Sequence, residues 1–146
     1  MAQNSEDTVT KLKKELIIPN SQTHLPEADE FIESNLESLG IDQSTVADIA
    51  ISATELINNA ILHGNSGDTT KKVKIGLYVE DSKVEVSISD QGAGFDPKVV
   101  PDPLAEENLL KEVGRGIFIA RSLVDGLVFD TEPGWGTRAI ITKHLD

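Results

Sequence analysis

Four short segments of this chain carry side chains whose type and spacing could support chemistry, and the first lies in its longest amphipathic pattern. A helical wheel places Asp48, Ser52, Glu55 and Asn59 within about 60° of one another, opposite an apolar stripe. Glu55 and Asn59 lie one helical turn apart. The amide oxygen of Asn59 can bind a hard cation such as Mg²⁺, and the carboxylate of Glu55 can deprotonate a hydroxyl group. The same pattern also suits the wet face of an ordinary helix.

The second segment is glycine-rich and runs from Asp90 to Asp96, directly after an alternating apolar stretch. Gly92 and Gly94 permit a close approach of the backbone to a ligand and leave N–H groups exposed. Asp90 at the end of a strand can accept a hydrogen bond from an exocyclic amine. An ordinary turn explains the same residues.

The third segment, Gly114-Arg115-Gly116, precedes an apolar helical pattern. We predict that a helix begins there, with its free N–H groups and positive dipole end forming an anion site. A flexible start of a helix without a ligand is the alternative. The fourth segment, Gly134 to Thr137, predicts a tight turn before a strand.

The remaining patterns predict the elements that position these residues. We expect an edge strand at 15–19, a helix from Pro26 to Gly40, and a helix capped by Asp42 or Ser44 that ends near Gly64. Strands follow at 73–79, 84–88, 126–130 and 138–144, with a hairpin turn at Asp81-Ser82. Pro97 to Val113 is expected to be a long mobile segment with one helical turn near 106–111. The predicted fold class is α+β, a two-layer sandwich with a mixed, mainly antiparallel sheet and helices on one face.

Length and charge exclude several classes of protein. The chain of 146 residues suits one domain, which we place at 13–146 after a flexible tail at 1–12. It has no cysteine, so disulfides, thiolate metal sites and cysteine nucleophiles are excluded. A net charge of −12, which we expect to be spread along the chain, argues against nucleic acid and anionic membranes as partners. No signal peptide or membrane span is predicted, so we expect the cytoplasm.

The order of the four segments resembles that of the GHKL ATPase superfamily. The chain reads E-x-x-x-N-A-I-x-H-G from Glu55, D-x-G-x-G-F-D from Asp90, G-R-G-x-x-x-x-R from Gly114 and G-x-G-T from Gly134. Within that superfamily it looks most like the small serine kinases that act as anti-sigma factors. The resemblance extends from about Glu15 to His144.

The resemblance implies a role for each matching residue. Glu55 would be the general base, and Asn59 would hold the Mg²⁺ that bridges the phosphates of ATP. Asp90 would accept a hydrogen bond from the adenine amino group, supported by Thr137. Gly92 and Gly94 would let the backbone pass beneath the nucleotide. Residues 95–113 would form a lid over ATP. Gly114, Arg115 and Gly116 would present backbone N–H groups to the phosphates.

The resemblance also implies a function. The chain would be an ATP-dependent serine/threonine protein kinase that phosphorylates a STAS-type anti-sigma antagonist and binds a sigma factor, as a homodimer. One alternative is a nucleotide-gated switch that sequesters a regulatory partner without phosphorylating it. Another is a detached catalytic domain of a histidine kinase, but the chain lacks a dimerising helix pair with a phosphoacceptor histidine.

Overall fold

The computed structural model of this protein describes residues 11–92 and 107–145, and residues 107–111 are described by their backbone only. The tail predicted at 1–12 therefore lies almost wholly outside the described residues. The first strand begins at Lys11, four residues before the predicted start. The elements in chain order are β1 (Lys11–Pro19), α1 (Leu25–Glu37), α2 (Gln43–Asn59), β2 (Lys72–Glu80), β3 (Lys83–Ser89), α3 (Glu107–Ser122), β4 (Gly126–Thr131) and β5 (Thr137–His144).

The five strands form one sheet in the order β1-β2-β3-β5-β4. We predicted a mixed sheet, but every strand pair among the described residues is antiparallel. β1 is an edge strand, as predicted. The turn at Asp81-Ser82 is also confirmed, because β2 ends at Glu80, which pairs with Lys83 at the start of β3.

The core lies between the sheet and the helices and explains why the register is fixed. Apolar residues alternate along β2 and β3, so one face of each strand is buried and a shift by one residue would expose that face. Ile75 lies opposite Ile88, and Val86 lies opposite Ile141. These side chains form one cluster with the apolar stripes of α1 and α2, which include Ile32, Leu36, Ile49, Ala53 and Ile57. The predicted α+β sandwich is therefore confirmed.

The helix α2 begins at a side-chain cap and continues beyond its regular part. The carboxylate of Asp42 accepts a hydrogen bond from the backbone N–H of Thr45, which satisfies one of the free donors of the first turn. A wider π-helical turn, Ala60–Gly64, follows α2 directly. It brings Gly64 to the end of β3, as described below. No helix within the described part of the chain is long and apolar enough to cross a membrane.

Candidate functional site

Asp90 is a buried carboxylate at the end of β3, and its side chain is only 4% exposed. Its backbone N–H donates to the carbonyl of Thr137 at 3.0 Å, which joins the end of β3 to the start of β5. Its Oδ1 accepts hydrogen bonds from the N–H groups of Gly92 at 2.9 Å and Thr137 at 3.2 Å. Thr137 therefore supports Asp90 through its backbone.

The groups that hold Oδ1 of Asp90 do not contact its second oxygen, Oδ2. Among the described residues, no donor hydrogen-bonds to Oδ2. Burial raises the pKa of Asp90, and the N–H groups of Gly92 and Thr137 offset only part of that effect. A partly desolvated carboxylate with one free oxygen is suited to accept a hydrogen bond from an amine.

Glycines surround Asp90 because no side chain fits there. A Cβ atom at Gly64 would collide with the Asp90 carboxylate, and a Cβ atom at Gly92 would collide with the Gly64 carbonyl. A Cβ atom at Gly136 would lie 2.7 Å from both Asp90 Oδ1 and the Gly92 carbonyl. Three of the sequence segments therefore meet at one carboxylate. Gly94 lies outside the described residues, as does most of the predicted lid.

Two buried asparagines hold the loop that follows Asp90, and the sequence analysis missed both of them. Asn65 Oδ1 accepts from the N–H of Gln91 at 2.7 Å, and its Nδ2 donates to Asn20 Oδ1 at 2.9 Å and to the Lys72 carbonyl at 3.0 Å. Asn20 Nδ2 donates to the carbonyls of Ile61 and Asp68. The sequence Asn65-Ser66-Gly67 is typical of a turn, so nothing in it indicated that the Asn65 side chain is buried.

Glu55 and Asn59 lie at the C-terminal end of α2 and face α3. A Cβ atom at Gly116 would lie 3.2 Å from Glu55 Oε1 and 3.4 Å from both side-chain atoms of the Asn59 amide. The glycine therefore lets α3 pass close to both polar groups. The adjacent Asn58 points elsewhere, since its Oδ1 accepts from Gln22 Nε2 at 2.7 Å.

The other two members of the predicted polar cluster do not belong to this site. Ser52 is fully buried and its hydroxyl donates to the Ala120 carbonyl at 2.9 Å, so it joins α2 to α3. The carboxylate of Asp48 lies 3.7 Å from Lys143 Nζ and forms an ion pair with β5. The alternative of an ordinary solvent-exposed face is wrong at Ser52, because the packing of α3 covers that side chain.

Gly114, Arg115 and Gly116 do not precede a helix, and this prediction was wrong. They lie inside α3, which begins at Glu107. The helical turn predicted near 106–111 and the helix predicted after Gly116 are thus one element. Glycine costs a helix about 1 kcal/mol relative to alanine, but packing against α2 through Ala120 outweighs that cost. The backbone amides at 114–116 therefore do not form a helix N-terminus.

The turn before β5 is fixed by a charged cluster. Glu132 accepts hydrogen bonds from Lys74 Nζ at 2.6 Å and from the Ser89 hydroxyl. Burial alone would raise the pKa of Glu132, but these two donors lower it below its usual value. Lys74 Nζ also lies 5.0 Å from the centre of the Trp135 ring. The cluster positions the strand that carries Thr137.

The donor set is compatible with ATP and a hard cation. Magnesium usually takes one or two oxygen ligands from the protein and the rest from phosphates and water. The Asn59 amide oxygen beside Glu55 offers such ligands. Among the described residues, no three histidine, aspartate or glutamate side chains converge as a metal cluster. The Asp90 carboxylate could accept a hydrogen bond from an amino group of a nucleotide base.

Comparisons with known proteins identify the family of this chain. Residues 18–143 match the family model described as the histidine kinase-like ATPase domain. Anti-sigma F factor from Bacillus velezensis is 30% identical over 116 residues, which cover 78% of this chain and 80% of that protein. Serine-protein kinase RsbW from Listeria innocua is 24% identical over 115 residues, which cover 73% and 71% of the two chains.

A solved structure shares the fold. The crystal structure of the RsbU and RsbW domains of Rv1364c from Mycobacterium tuberculosis matches with a TM-score of 0.65 and 19% identity. The match covers 92% of this chain and 32% of that one. At this level of identity the structural similarity shows only that the two chains share a fold.

Proposed function

Because this chain belongs to the histidine kinase-like ATPase domain family, we propose that it is an ATP-dependent serine/threonine protein kinase and anti-sigma factor. Its substrate would be a small STAS-type antagonist protein, and its second partner a sigma factor. The names of its relatives, anti-sigma F factor and serine-protein kinase RsbW, support this proposal. A domain of this family implies ATP binding.

One observation carries the proposal of phosphoryl transfer. Glu55 and Asn59 lie together against Gly116, where a carboxylate and an amide oxygen can act on the same ligand. Binding of a nucleotide alone needs no base. A carboxylate beside the proposed magnesium ligand suits phosphoryl transfer to a hydroxyl group or to water.

The adenine end of the proposed site is built on Asp90. Its free Oδ2 would accept a hydrogen bond from the adenine amino group, while Thr137 and Gly92 hold Oδ1. Gly92 and Gly94 would leave room for the nucleotide. The amino group distinguishes adenine from guanine, which presents a carbonyl acceptor at the same position.

The phosphate end of the proposed site lies between α2 and α3. Asn59 would hold Mg²⁺, and the exposed Arg115 would neutralise phosphate charge through its side chain. Gly116 would leave room beside Asn59, and Gly114, on another face of α3, would leave the helix backbone open to the phosphates. Bound ATP and Mg²⁺ would supply the transferred phosphoryl group and neutralise its charge.

Glu55 would act on the substrate hydroxyl. It accepts the hydroxyl proton while the hydroxyl oxygen bonds to the γ-phosphorus, and the bond from that phosphorus to the ADP oxygen breaks. Transfer of this kind depends on positioning, so the close contact of Gly116 with Glu55 and Asn59 sets the distance across the site.

The remaining parts of the proposal rest on the family. We propose a homodimer, a cytoplasmic location and a single kinase domain at 13–146. We propose neither nucleic acid nor membranes as partners.

Incubation with labelled ATP, Mg²⁺ and purified STAS-type antagonist proteins tests the function. We expect label on a serine or threonine of an antagonist. ATP binding measured by calorimetry, together with capture of a sigma factor but no transfer to any antagonist, would support the nucleotide-gated switch instead.

A further inference from the structure

A groove lies between α1 and α2, and Glu55 is one of the residues that line it. Its volume is about 350 Å³. Its apolar floor comes from α2 and its acidic wall from α1, and the residues that matter here are Asp29, Glu33, Ala47, Ala50, Ile51 and Glu55.

The floor of the groove exposes apolar side-chain surface that is not packed in the core. Ile51 is 48% exposed, although its neighbours along α2, Ala50 and Ser52, are buried. Ala47 lies one turn before Ile51 and is also exposed. An isoleucine on a small-residue floor offers a contact site for one aliphatic side chain of a partner.

The wall of the groove carries unneutralised negative charge. Asp29 and Glu33 lie one helical turn apart, and the hydrogen bond and repulsion between them raise the pKa of Glu33. Among the ion pairs of the described residues, none involves either carboxylate. Like charges at this spacing destabilise a helix, and a cation from a partner would relieve the repulsion.

The whole α1–α2 layer shares this charge, which corrects our expectation of an even spread. Residues 15–70 contain ten of the 25 acidic residues and none of the 13 lysines and arginines. The other residues carry acidic and basic side chains in nearly equal number. The acidity of the protein is therefore concentrated in the layer that surrounds the groove. Such a field attracts cationic partners and speeds their association.

We propose that the α1–α2 groove binds the phosphoacceptor segment of the partner protein, and that this segment carries lysine or arginine beside an aliphatic residue. The inference rests on the proposed kinase function. The basic side chain would lie against Asp29 and Glu33, and the aliphatic side chain against Ile51. The adjacent serine or threonine would then reach Glu55, which lines the end of the groove and also faces Gly116.

Two short synthetic peptides test the charge preference. One carries a serine flanked by two lysines and two leucines, and the other has glutamates in place of the lysines. Binding is measured by fluorescence anisotropy with a non-hydrolysable ATP analogue and Mg²⁺ present. We expect the lysine peptide alone to bind, with an affinity that falls as salt is added.

A matched pair of double variants separates the groove from the general field. D29N/E33Q removes the two groove charges, whereas E30Q/E37Q removes two exposed charges of the same helix that do not line the groove. We expect the first to weaken binding of the lysine peptide about tenfold and the second less than about twofold. ATP affinity, measured for both, reports that each variant is folded.

Equal binding of the two peptides, or an equal loss in both double variants, would overturn the groove proposal. The groove proposal and the proposed kinase function can be rejected independently of each other. Selective binding of the lysine peptide, with no transfer from labelled ATP to any antagonist protein, would reject the kinase function but keep the groove as a docking site. Phosphorylation of an antagonist that D29N/E33Q leaves unchanged would keep the kinase and reject the groove.

Discussion

The side-chain oxygen of Asn65 accepts a 2.7 Å hydrogen bond from the backbone N–H of Gln91, and this bond joins the end of the α2 extension to the loop after β3. The pair lies next to Asp90, so the position of the proposed adenine acceptor depends on it. The side chain of Gln91 also binds the start of β2, because its Oε1 accepts a hydrogen bond from the N–H of Lys72 at 2.8 Å. The buried amides thus link three chain segments beneath one carboxylate.

The substitution Asn65→Ala should destabilise the protein strongly. Asn65 is fully buried and makes three hydrogen bonds, so alanine leaves the Gln91 N–H, Asn20 Oδ1 and the Lys72 carbonyl without their partner. We expect a loss of about 2–4 kcal/mol in the free energy of unfolding, measured by urea denaturation. Asn35→Ala is the control, because that side chain makes a single bond to the Phe31 carbonyl within its own helix. Equal losses in the two variants would contradict the role of the network.

Gly114 and Gly116 should respond differently to alanine. No atom lies within 4 Å of a Cβ at Gly114, so Gly114→Ala should gain about 0.5–1 kcal/mol of stability from helix propensity. At Gly116 the methyl group would press on Glu55 and Asn59, at 3.2 and 3.4 Å. We expect Gly116→Ala to gain less stability and to lower the rate of phosphoryl transfer. Thermal unfolding measures the change in stability, and an assay with labelled ATP measures the rate of transfer. A Gly116→Ala variant that transfers phosphate at the parent rate would contradict the close contact.

Much of this arrangement could be predicted from the sequence, and the reasons for the failures are physical. The alternation along β2 and β3 and the Asp42 cap are local signals, so these elements were predicted close to their observed bounds. The start of α3 was missed because two glycines within a helix look like its beginning, and only its packing on α2 shows otherwise. Asn20 and Asn65 are far apart in the chain, so nothing local marks their hydrogen bond.

The raised pKa of Asp90 predicts a pH dependence of stability. The folded-state pKa lies above the ordinary value of 3.8, so the folded protein holds this proton more tightly than the unfolded chain. The stability that Asp90 contributes is therefore full below pH 3.8 and is lost as the pH rises through the folded-state pKa. Relative to Asp90→Asn, the parent protein should lose stability over that window. Denaturation curves at a series of pH values measure both stabilities, and a parent protein that gains stability relative to Asp90→Asn as the pH rises would contradict the assigned burial.

Asp90→Asn should also weaken ATP binding. The variant keeps an amide oxygen for Gly92 and Thr137 but turns a donor toward the adenine amino group. Hydrogen bonds to a charged acceptor contribute about 1.5–3 kcal/mol, so we expect a loss of about tenfold or more in affinity by calorimetry. In the parent protein the affinity should fall as the pH is lowered through the pKa of Asp90. An unchanged affinity in the variant would reject Asp90 as the adenine acceptor.

The most direct test of the account is the rate of phosphoryl transfer by Glu55→Gln at saturating ATP, compared with the parent protein. Glutamine retains the size of the side chain and its contact with Gly116 but cannot accept the hydroxyl proton. We predict that ATP affinity stays within about twofold, while transfer to an antagonist serine or threonine falls by about 10²–10⁴. A Glu55→Gln variant that transfers phosphate at the parent rate would contradict the central claim that this carboxylate is the base.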